Sequence, residues 1–418
     1  MTNPASQRTF MCMSTDWMEG EVFLTFEYNS LIYTAYMSRY SYSESSPYDE
    51  YFETTIASMN PDGTNWQIIN VITLINLLTN VVFYDGIIYF TQDTYQEDLS
   101  LVTYSIIANS FNITILGDSL RWFGDDESDH WSYSSFFSLH TDSSGVHIGY
   151  MRDNYNTRRR EIWFAHCNFS GGGYEKVHVT ENFTQISITG VPTTRTIGYS
   201  GVIENMHFMP TSNGYMYLWR DNANYSYNSG YISYCLCDFS GGNATIFRSS
   251  LYTYTLNPQH LIKDDSYIYC LFDSYFGPLR IIRYDSSGNE SDIRSCDPEV
   301  YTYYFNGLVS SGGHLYLIFN TGDHVIYFKY NTSFSSFEET ILFSTYEINI
   351  DISSPKVVVA NGNVICVFAG ANTLIWKCRY MWTYPGNGPI TPTTAQCQVT
   401  QTLIDATTGK PITLLGGV

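Results

Sequence analysis

Charged residues are scarce in this chain of 418 residues, where they make up 14% of the sequence, against roughly 25% in ordinary soluble domains. Basic residues are the scarcer kind, because 20 Lys and Arg stand against 40 Asp and Glu, which gives a formal net charge of -20. A molecule with this electrostatic field repels phosphate backbones and anionic lipid headgroups. The composition therefore argues against nucleic acid as a partner and against membrane insertion.

Long apolar runs are missing as well. The sequence has no apolar stretch of about 18 residues, the length that a membrane-spanning helix needs. Its first part also lacks the apolar core of a signal peptide. We therefore expect neither a membrane span nor ordinary signal-directed secretion.

Catalytic motifs are the third absence. No Ser-His-Asp arrangement, HExxH, P-loop or GxSxG pattern occurs in the sequence. We therefore assign no catalytic residue and expect no cofactor. Binding or structural work is favoured over catalysis.

Aromatic residues are abundant, with 37 Tyr, 25 Phe and 8 Trp, and they recur in a pattern. A turn followed by an alternating aromatic and β-branched strand occurs seven times. Strands favour such residues, and repeats at this spacing are typical of propellers and solenoids. The seven copies are YNSLIYTAYM at 28–37, YDGIIYFT at 84–91, SSGVHIGYM at 143–151, SNGYMYLW at 212–219, DDSYIYCLF at 264–272, SGGHLYLIF at 311–319 and NGNVICVF at 361–368.

A second recurring pattern follows most of these strands. In it, a further strand ends at Asn or Asp and a tight turn comes next, as in AHCNFSGG at 165–172 and CLCDFSGG at 235–242. Asn, Asp and Gly tolerate the positive φ that hairpin turns need. Each repeat therefore predicts four antiparallel strands. The fold class is all-β, a seven-bladed β-propeller over residues 1–389, in which 8–13 supply the last blade's missing outer strand. Residues 390–418 form a C-terminal hairpin tail or appendage.

The repeat resembles the generic propeller repeat of the WD40-like and YVTN-like families over roughly residues 20–385. The resemblance implies an architecture and no particular function. The Trp-Asp strand ending of WD40 repeats does not recur, so no functional residue is carried over from those families.

Long polar segments between the second and third strands concentrate on one predicted face, over repeats 1–4. Their composition resembles that of an antibody paratope, in which Tyr supplies contact area at small entropic cost. Ordinary solvated loops are the competing interpretation. The candidate binding residues for a protein or glycan ligand are Tyr40, Tyr42, Tyr48, Tyr95, Asp153, Tyr155, Asp221, Tyr225, Tyr227 and Tyr275.

One acidic run is a candidate Ca²⁺ site, because hard cations prefer several carboxylates in a flexible loop. It contains Asp125, Asp126 and Asp129, and it lacks the spacing of an EF-hand. A solvated acidic loop is the alternative. The nine Cys are interpreted as reduced, structural thiols, because equivalent positions in different blades are too far apart to form disulfides. A disulfide between Cys12 and the seventh blade is the alternative.

Function is inferred from the surface. A Tyr-, Ser- and Asn-rich chain without a signal peptide fits a virion surface component, for host attachment or for capsid or tail decoration. Its partners would be a protein or glycan on the loop face and other structural subunits at the tail. The alternatives are a glycan-active hydrolase or lyase, in which carboxylates such as Asp153 and Asp221 act as a pair, and a cytosolic protein-interaction scaffold. An extracellular or cytoplasmic location goes with these alternatives.

Overall fold

Strands are the regular secondary structure in the described part of the computed structural model of the protein. The structure describes residues 10–15, 22–42, 50–61, 65, 67–75, 81–93, 98–119, 137–154, 159–179, 183–186, 192–195, 203–222, 230–253, 256–264, 266–274, 279–285, 289–296, 304–320, 324–331, 337–344, 351–360, 363–371, 378–385, 402–404 and 411–413. Within these residues, no helix has the length and apolar character needed to span a bilayer.

The strands in chain order are β1 (Phe10–Thr15), β2 (Val22–Tyr28), β3 (Leu31–Tyr42), β4 (Glu50–Met59), β5 (Gln67–Ile75), β6 (Val82–Tyr84), β7 (Ile87–Asp93), β8 (Asp98–Ser105), β9 (Ser110–Ser119), β10 (Phe137–Asp142), β11 (Gly145–Asn154), β12 (Arg159–Cys167), β13 (Glu175–His178), β14 (Phe183–Ile186), β15 (Pro192–Arg195), β16 (Ile203–Pro210), β17 (Gly214–Asn222), β18 (Gly230–Asp238), β19 (Thr245–Thr253), β20 (Leu256–Lys263), β21 (Ile268–Ser274), β22 (Leu279–Tyr284), β23 (Glu290–Cys296), β24 (Tyr304–Ser311), β25 (His314–Asn320), β26 (His324–Asn331), β27 (Phe337–Ser344), β28 (Asp351–Ala360), β29 (Asn363–Ala371), β30 (Cys378–Pro385), β31 (Thr402–Ile404) and β32 (Pro411–Thr413).

These strands form consecutive antiparallel sheets, which give the chain an all-β propeller architecture. We name the sheets I (β2–β5), II (β6–β9), III (β10–β13), IV (β14–β19), V (β20–β23), VI (β24–β27) and VII (β28–β30 with β1). The chain divides into two compact units, of which unit 1 comprises Met1–Leu74 and Thr302–Val418 and unit 2 comprises Ile75–Tyr301.

The prediction of seven four-stranded blades is wrong, because the described residues form six four-stranded blades, and sheet IV, which has six strands, departs from that pattern. The two extra strands of sheet IV are β14 and β15, which precede β16 in the chain. Strand β14 pairs in parallel with the outer strand β19, through Thr184 opposite Thr245, and β15 pairs antiparallel with β14. An outer strand exposes unpaired backbone groups, and these can accept a further strand.

Unit 1 brings the two ends of the chain together. Strand β1 pairs antiparallel with β30, with Phe10 opposite Trp382, and so supplies the fourth strand of sheet VII. Sheet I packs on sheet VII through buried residues that include Val22, Tyr36 and Ile365. In the tail, β31 pairs with β32, with Thr402 opposite Thr413. The boundary between propeller and tail at residue 389 stays a prediction.

Hairpin turns follow the turn chemistry of the sequence. Asn29 and Ser30 have φ of 51° and 65°, Asp85 and Gly86 have φ of 46° and 81°, and Gly312 and Gly313 have φ of 56° and 74°. Two consecutive residues with positive φ are the mark of a type I′ turn, whose twist matches that of the flanking strands. The sequence patterns YNS, YDG and SGG therefore set the first hairpin of their sheets.

In unit 2, successive sheets pack face to face through apolar layers. Sheets II and III share one layer, which includes Leu101 and Ile148. Sheets III and IV share a second, and sheets IV and V a third, which includes Met216 and Ile282. Sheets III and IV are therefore buried on both faces, which is why their strands are nearly continuous runs of aromatic and aliphatic residues.

The turns between third and fourth strands tie neighbouring sheets together. In the turn after β12, the Oδ1 of Asn168 accepts hydrogen bonds from the backbone N of Ser170 and of Gly172. The ring of Phe169 stacks on Tyr84 of sheet II with centroids 5.1 Å apart. Gly171 has φ of 84°, and a Cβ on it would lie 2.7 Å from Thr114 Cγ2 in β9. The glycine therefore lets this turn dock on the outer strand of the preceding sheet.

Candidate functional site

Four of the predicted binding residues lie in strands and not in loops, which corrects their expected placement. Tyr40 and Tyr42 belong to β3, where they pair with Phe52 and Glu50. Asp153 belongs to β11, opposite Arg160. The hairpins extend further than expected because Tyr favours strands and the Ser-Tyr alternation continues the two-residue period.

Asp221, the fourth of these residues, lies in β17 opposite Tyr231. Tyr48, Tyr95, Tyr155, Tyr225, Tyr227 and Tyr275 lie outside the described residues, as do Asp125, Asp126 and Asp129 of the predicted Ca²⁺ site. Their binding roles stay predictions.

A polar cluster that the sequence motifs did not indicate lies where the β10–β11 hairpin of sheet III meets sheet IV. We call it the turn cluster, and its members are Asp142, Ser144, His147, His166 and Tyr215. His147 is only 2% exposed and Asp142 is 29% exposed. Strand β11 carries His147 into the contact between sheets, and β17 brings Tyr215 from the other side.

The hydrogen bonds of the turn cluster use both nitrogens of the His147 ring. Its Nε2 lies 3.1 Å from Asp142 Oδ1, and its Nδ1 lies 3.1 Å from the Tyr215 hydroxyl. Ser144 Oγ donates to the same Asp142 oxygen at 2.7 Å. The pattern fits a neutral imidazole that carries its proton on Nε2 and accepts the Tyr215 hydroxyl proton at Nδ1.

This arrangement differs from a nucleophilic triad. In a triad, the serine and the carboxylate bond opposite nitrogens of the histidine ring, so that the proton taken from the serine is balanced across the ring. Here Ser144 Oγ lies 3.1 Å from Nε2, which is also the nitrogen that faces Asp142. The opposite nitrogen faces Tyr215, whose pKa is raised, mainly by burial. The turn cluster is therefore built to hold the hairpin against sheet IV.

The ionisation of the cluster follows its burial and hydrogen bonds. Burial opposes charge on Asp142, yet hydrogen bonds from Ser144 and His147 lower the pKa of its carboxyl to about 2. Burial lowers the pKa of His147, although Asp142 opposes this change. At neutral pH the cluster therefore holds a carboxylate beside a neutral imidazole.

A second polar group adjoins the turn cluster, around Phe208 of β16. Its members are His140 of β10, His207 of β16 and Lys263 of β20. The His140 ring lies with its centroid 6.2 Å from that of Phe208. Burial, assisted by the positive charge of Lys263, lowers the pKa of His140 to about 3. Lys263 Nζ donates to the Pro210 carbonyl at 3.1 Å, which holds its charge in this region.

Cysteine and metal chemistry is limited in the described part of the chain. Cys167, Cys235, Cys237 and Cys270 are free and buried there. Burial raises the pKa of Cys167 and of Cys237 to about 12, so these thiols stay protonated. No group of three or more His, Cys, Asp or Glu side chains that could hold a metal ion occurs among the described residues.

The turn cluster has a signal in the sequence that belongs to no catalytic or metal-binding motif. His140, His147, His166 and His178 fall on the four successive strands of one repeat. The two-residue period places several of them on one face of the sheet, but only the pairing of strands shows which rings meet. The rings of His147 and His166 lie with centroids 4.9 Å apart.

No family model matches the sequence, and no curated protein matches it either. Solved structures do resemble the fold. An acylaminoacyl peptidase in complex with Z-Gly-Gly-Phe-chloromethyl ketone superposes with a TM-score of 0.50 at 8% identity, over 88% of this chain and 52% of that one. The β-propeller domain of the Trilobed protease from Pyrococcus furiosus superposes with a TM-score of 0.47 at 7% identity, over 90% of this chain and 98% of that one.

A polysaccharide lyase, Uly1, superposes with a TM-score of 0.47 at 7% identity, over 88% of this chain and 90% of that one. The likeness is one of fold. This chain spans about half the length of the acylaminoacyl peptidase chain. At these identities the comparisons carry no substrate or activity to this protein.

Proposed function

We propose that the protein is a non-enzymatic binding and structural component of a virion surface, serving host attachment or capsid or tail decoration. Protein or glycan would bind at the tyrosine-rich ends of the sheets, and other subunits would bind at the C-terminal tail. The surface composition supports this function. A chain with 37 Tyr and only 14% charged residues presents large amphipathic side chains and few strongly hydrated ones.

The observation that carries the proposal is where the described candidate residues lie along their strands. In sheet I, Tyr40 and Tyr42 lie at the end of β3, remote from the β2–β3 turn at Asn29. In sheets III and IV, Asp153 and Asp221 lie at the same end of β11 and β17, each as the last residue but one. Within each of these sheets, polar or aromatic residues lie at the strand end opposite the first hairpin turn, and binding residues are commonly found at such positions on a rigid scaffold.

The geometry of the turn cluster favours binding over hydrolysis. Ser144 and Asp142 face the same nitrogen of His147, so the serine lacks the base arrangement that would activate it. The cluster also lies at the hairpin-turn end of sheet III, whereas Asp153 lies at the other end of β11.

Particle fractionation tests the structural role. The protein is isolated from its native source and followed through a density gradient by mass spectrometry. We expect it to sediment with assembled particles. Recovery of the protein only among free soluble proteins would argue against a virion component.

Binding is tested with the full-length chain and intact host cells. The double variant Tyr40→Ala and Tyr42→Ala should lose at least about 10-fold in cell binding, since buried Tyr anchors each contribute about 1–2 kcal/mol at interfaces. Tyr28→Ala is the matched control, because Tyr28 ends β2 at the opposite end of the same sheet. Equal binding by both variants would remove the recognition role from this end of sheet I.

A glycan-active hydrolase or lyase is the second candidate, and one observation favours it. Asp153 and Asp221 occupy equivalent places in neighbouring sheets III and IV, and a carboxylate pair is what glycoside hydrolysis requires. Incubation with a panel of polysaccharides, with product analysis by mass spectrometry, decides between the two functions. Cleavage that Asp153→Asn and Asp221→Asn abolish would replace the binding proposal with the enzymatic one.

A further inference from the structure

We propose that the contact between sheets III and IV is an acid-sensitive joint, which mild acid loosens through protonation of His140 and His147. This inference concerns the fold and does not depend on the proposed function. It begins from an uneven distribution of histidine. The chain has nine His, and five of them lie on strands of these two sheets, namely His140, His147, His166, His178 and His207.

The joint is lined by groups from six strands, and few of them can balance new positive charge. Around His140 and His147 the titratable and charged groups are Asp142 of β10, His166 of β12, His207 of β16, Tyr215 of β17 and Lys263 of β20. Asp142 is the one carboxylate in this set. It already accepts hydrogen bonds from Ser144 and His147. Among the side chains that the structure describes here, a second protonated histidine would therefore share the region with Lys263 and find no further carboxylate.

Apolar packing seals the same region. Phe208 is fully buried in the layer between the sheets, and its ring stacks on Tyr215 with centroids 5.1 Å apart. Ser138 Oγ of sheet III donates to the Phe208 carbonyl of sheet IV at 3.4 Å. A cation at His140, beside this ring, loses hydration on burial, and its backbone hydrogen bond with Phe208 replaces only part of that hydration.

The direction of the pH effect follows from linkage. Both histidines have folded pKa values below the ordinary 6.5, so the unfolded or opened state binds more protons than the folded state once the pH falls below 6.5. Stability contributed by the neutral rings is present above pH 6.5. It is lost progressively as the pH falls towards about 3, the folded pKa of His140. At pH 5.0 the shift of His140 alone favours opening by about 30-fold.

Hydrogen exchange measured by mass spectrometry tests the joint in the full-length protein. Amide protection, corrected for the intrinsic effect of pH, is compared at pH 7.5 and pH 5.0 for peptides of each sheet. We expect peptides from β10, β11, β16 and β17 to lose at least about 10-fold in protection at pH 5.0, with a smaller loss in sheet VI. Unchanged protection in sheets III and IV, or an equal loss in every sheet, would overturn the proposal.

Variants assign the effect to the histidines. His140→Gln keeps a polar side chain that does not take up a proton, so it should reduce the pH-dependent loss in sheets III and IV to less than half. His314→Gln is the matched control, because this histidine is half-buried at the start of β25 in sheet VI, away from the joint, and its substitution should leave the loss in sheets III and IV unchanged. A His140→Gln protein with the full wild-type loss would contradict the proposal.

A measurement on the unmodified protein covers the case in which His140→Gln fails to fold. Exchange of the imidazole C2 proton, followed by mass spectrometry across a pH series, reports the pKa of each histidine. We expect His140 to titrate well below 6.5. A His140 pKa at or above 6.5 would overturn the proposal.

Discussion

The close approach of Gly149 to Phe208 makes the contact between sheets III and IV open to a sharp test. Gly149 lies in β11, and a Cβ built on it would overlap the Cβ, Cγ and Cδ2 atoms of Phe208 in β16. The conflict is one of space, because Gly149 is not among the described residues with positive φ. The substitution Gly149→Ala therefore inserts one methyl group into space that Phe208 of sheet IV already occupies.

Phe208 has little room to yield. It is 0% exposed, and its ring packs against Tyr215 and Tyr217 with centroid distances of 5.1 Å and 4.9 Å. The overlap includes the Phe208 Cβ, which moves only with the backbone. Overpacking in a filled core costs about 1–3 kcal/mol, and this site belongs in the upper part of that range. A loss of about 2 kcal/mol lowers the melting temperature of a domain of this size by about 4–8 °C.

A double-mutant cycle separates this steric effect from other consequences of the change. Phe208→Ala alone should cost about 3–5 kcal/mol, because it empties a buried aromatic site. In that background the methyl group of Gly149→Ala has space, so its cost should fall to near zero. The assay is denaturant unfolding followed by tryptophan fluorescence, with the transition of unit 2 identified by hydrogen exchange because two units need not unfold together.

Gly173→Ala provides the control for the cycle. Gly173 has φ of 65°, and a Cβ on it would meet nothing within 4 Å, so its substitution is strained only through the backbone. Its cost should be the same with and without Phe208. A cost of less than about 0.5 kcal/mol for Gly149→Ala in the wild-type background, or a cost that Phe208→Ala leaves unchanged, would refute a steric conflict between Gly149 and Phe208.

Three further predictions concern other parts of the chain. Iodoacetamide should label Cys167, Cys235, Cys237 and Cys270 in urea but not in the native protein, because burial raises the pKa values of these thiols. Labelled sites are mapped by mass spectrometry, and labelling of these four in the native protein would contradict their burial. Asp238→Ala should lower the free energy of unfolding by about 1–2 kcal/mol, since Asp238 Oδ1 accepts hydrogen bonds from the backbone N of Ser240 and of Gly242. Asp238→Asn should lose much less stability in a thermal melt, because Asn168 makes the same hydrogen bonds in the equivalent turn of sheet III. Equal losses in the two variants would contradict a stabilising role for these hydrogen bonds. Deletion of residues 1–15 removes β1 and exposes the edge of β30, so the melting temperature should fall and aggregation increase; an unchanged melt would show that β1 does not support sheet VII.

Strands and hairpin turns could be predicted from the sequence because they depend on residues that are close together in the chain. The two-residue alternation predicted the strands, and Asp85-Gly86 and Gly312-Gly313 predicted hairpins whose φ values are indeed positive. The NFSGG and DFSGG turns were predicted from Asn and Asp, and the structure shows Asn168 and Asp238 accepting the backbone bonds of those turns. These features arise within a few residues of one another, so the sequence contains all that decides them.

Contacts between strands remote in sequence were decided by the tertiary structure. Tyr40 and Tyr42 were expected in a loop, yet they pair with Phe52 and Glu50, because an edge of β4 was available to extend β3. The prediction of four strands in sheet IV is wrong for the same reason, since the outer edge of β19 pairs in parallel with β14. Strand pairing depends on which edges are free, and a two-residue period does not encode that.

Composition and repetition by themselves determined that the chain is all-β, repeated and acidic, because aromatic periodicity, turn residues and net charge are properties of the sequence. Only the tertiary structure decided that His147 lies between Asp142 and Tyr215, and that His140 lies beside Phe208. Histidine chemistry is set by burial and by the partners of each ring nitrogen, and both arise when sheets III and IV pack together.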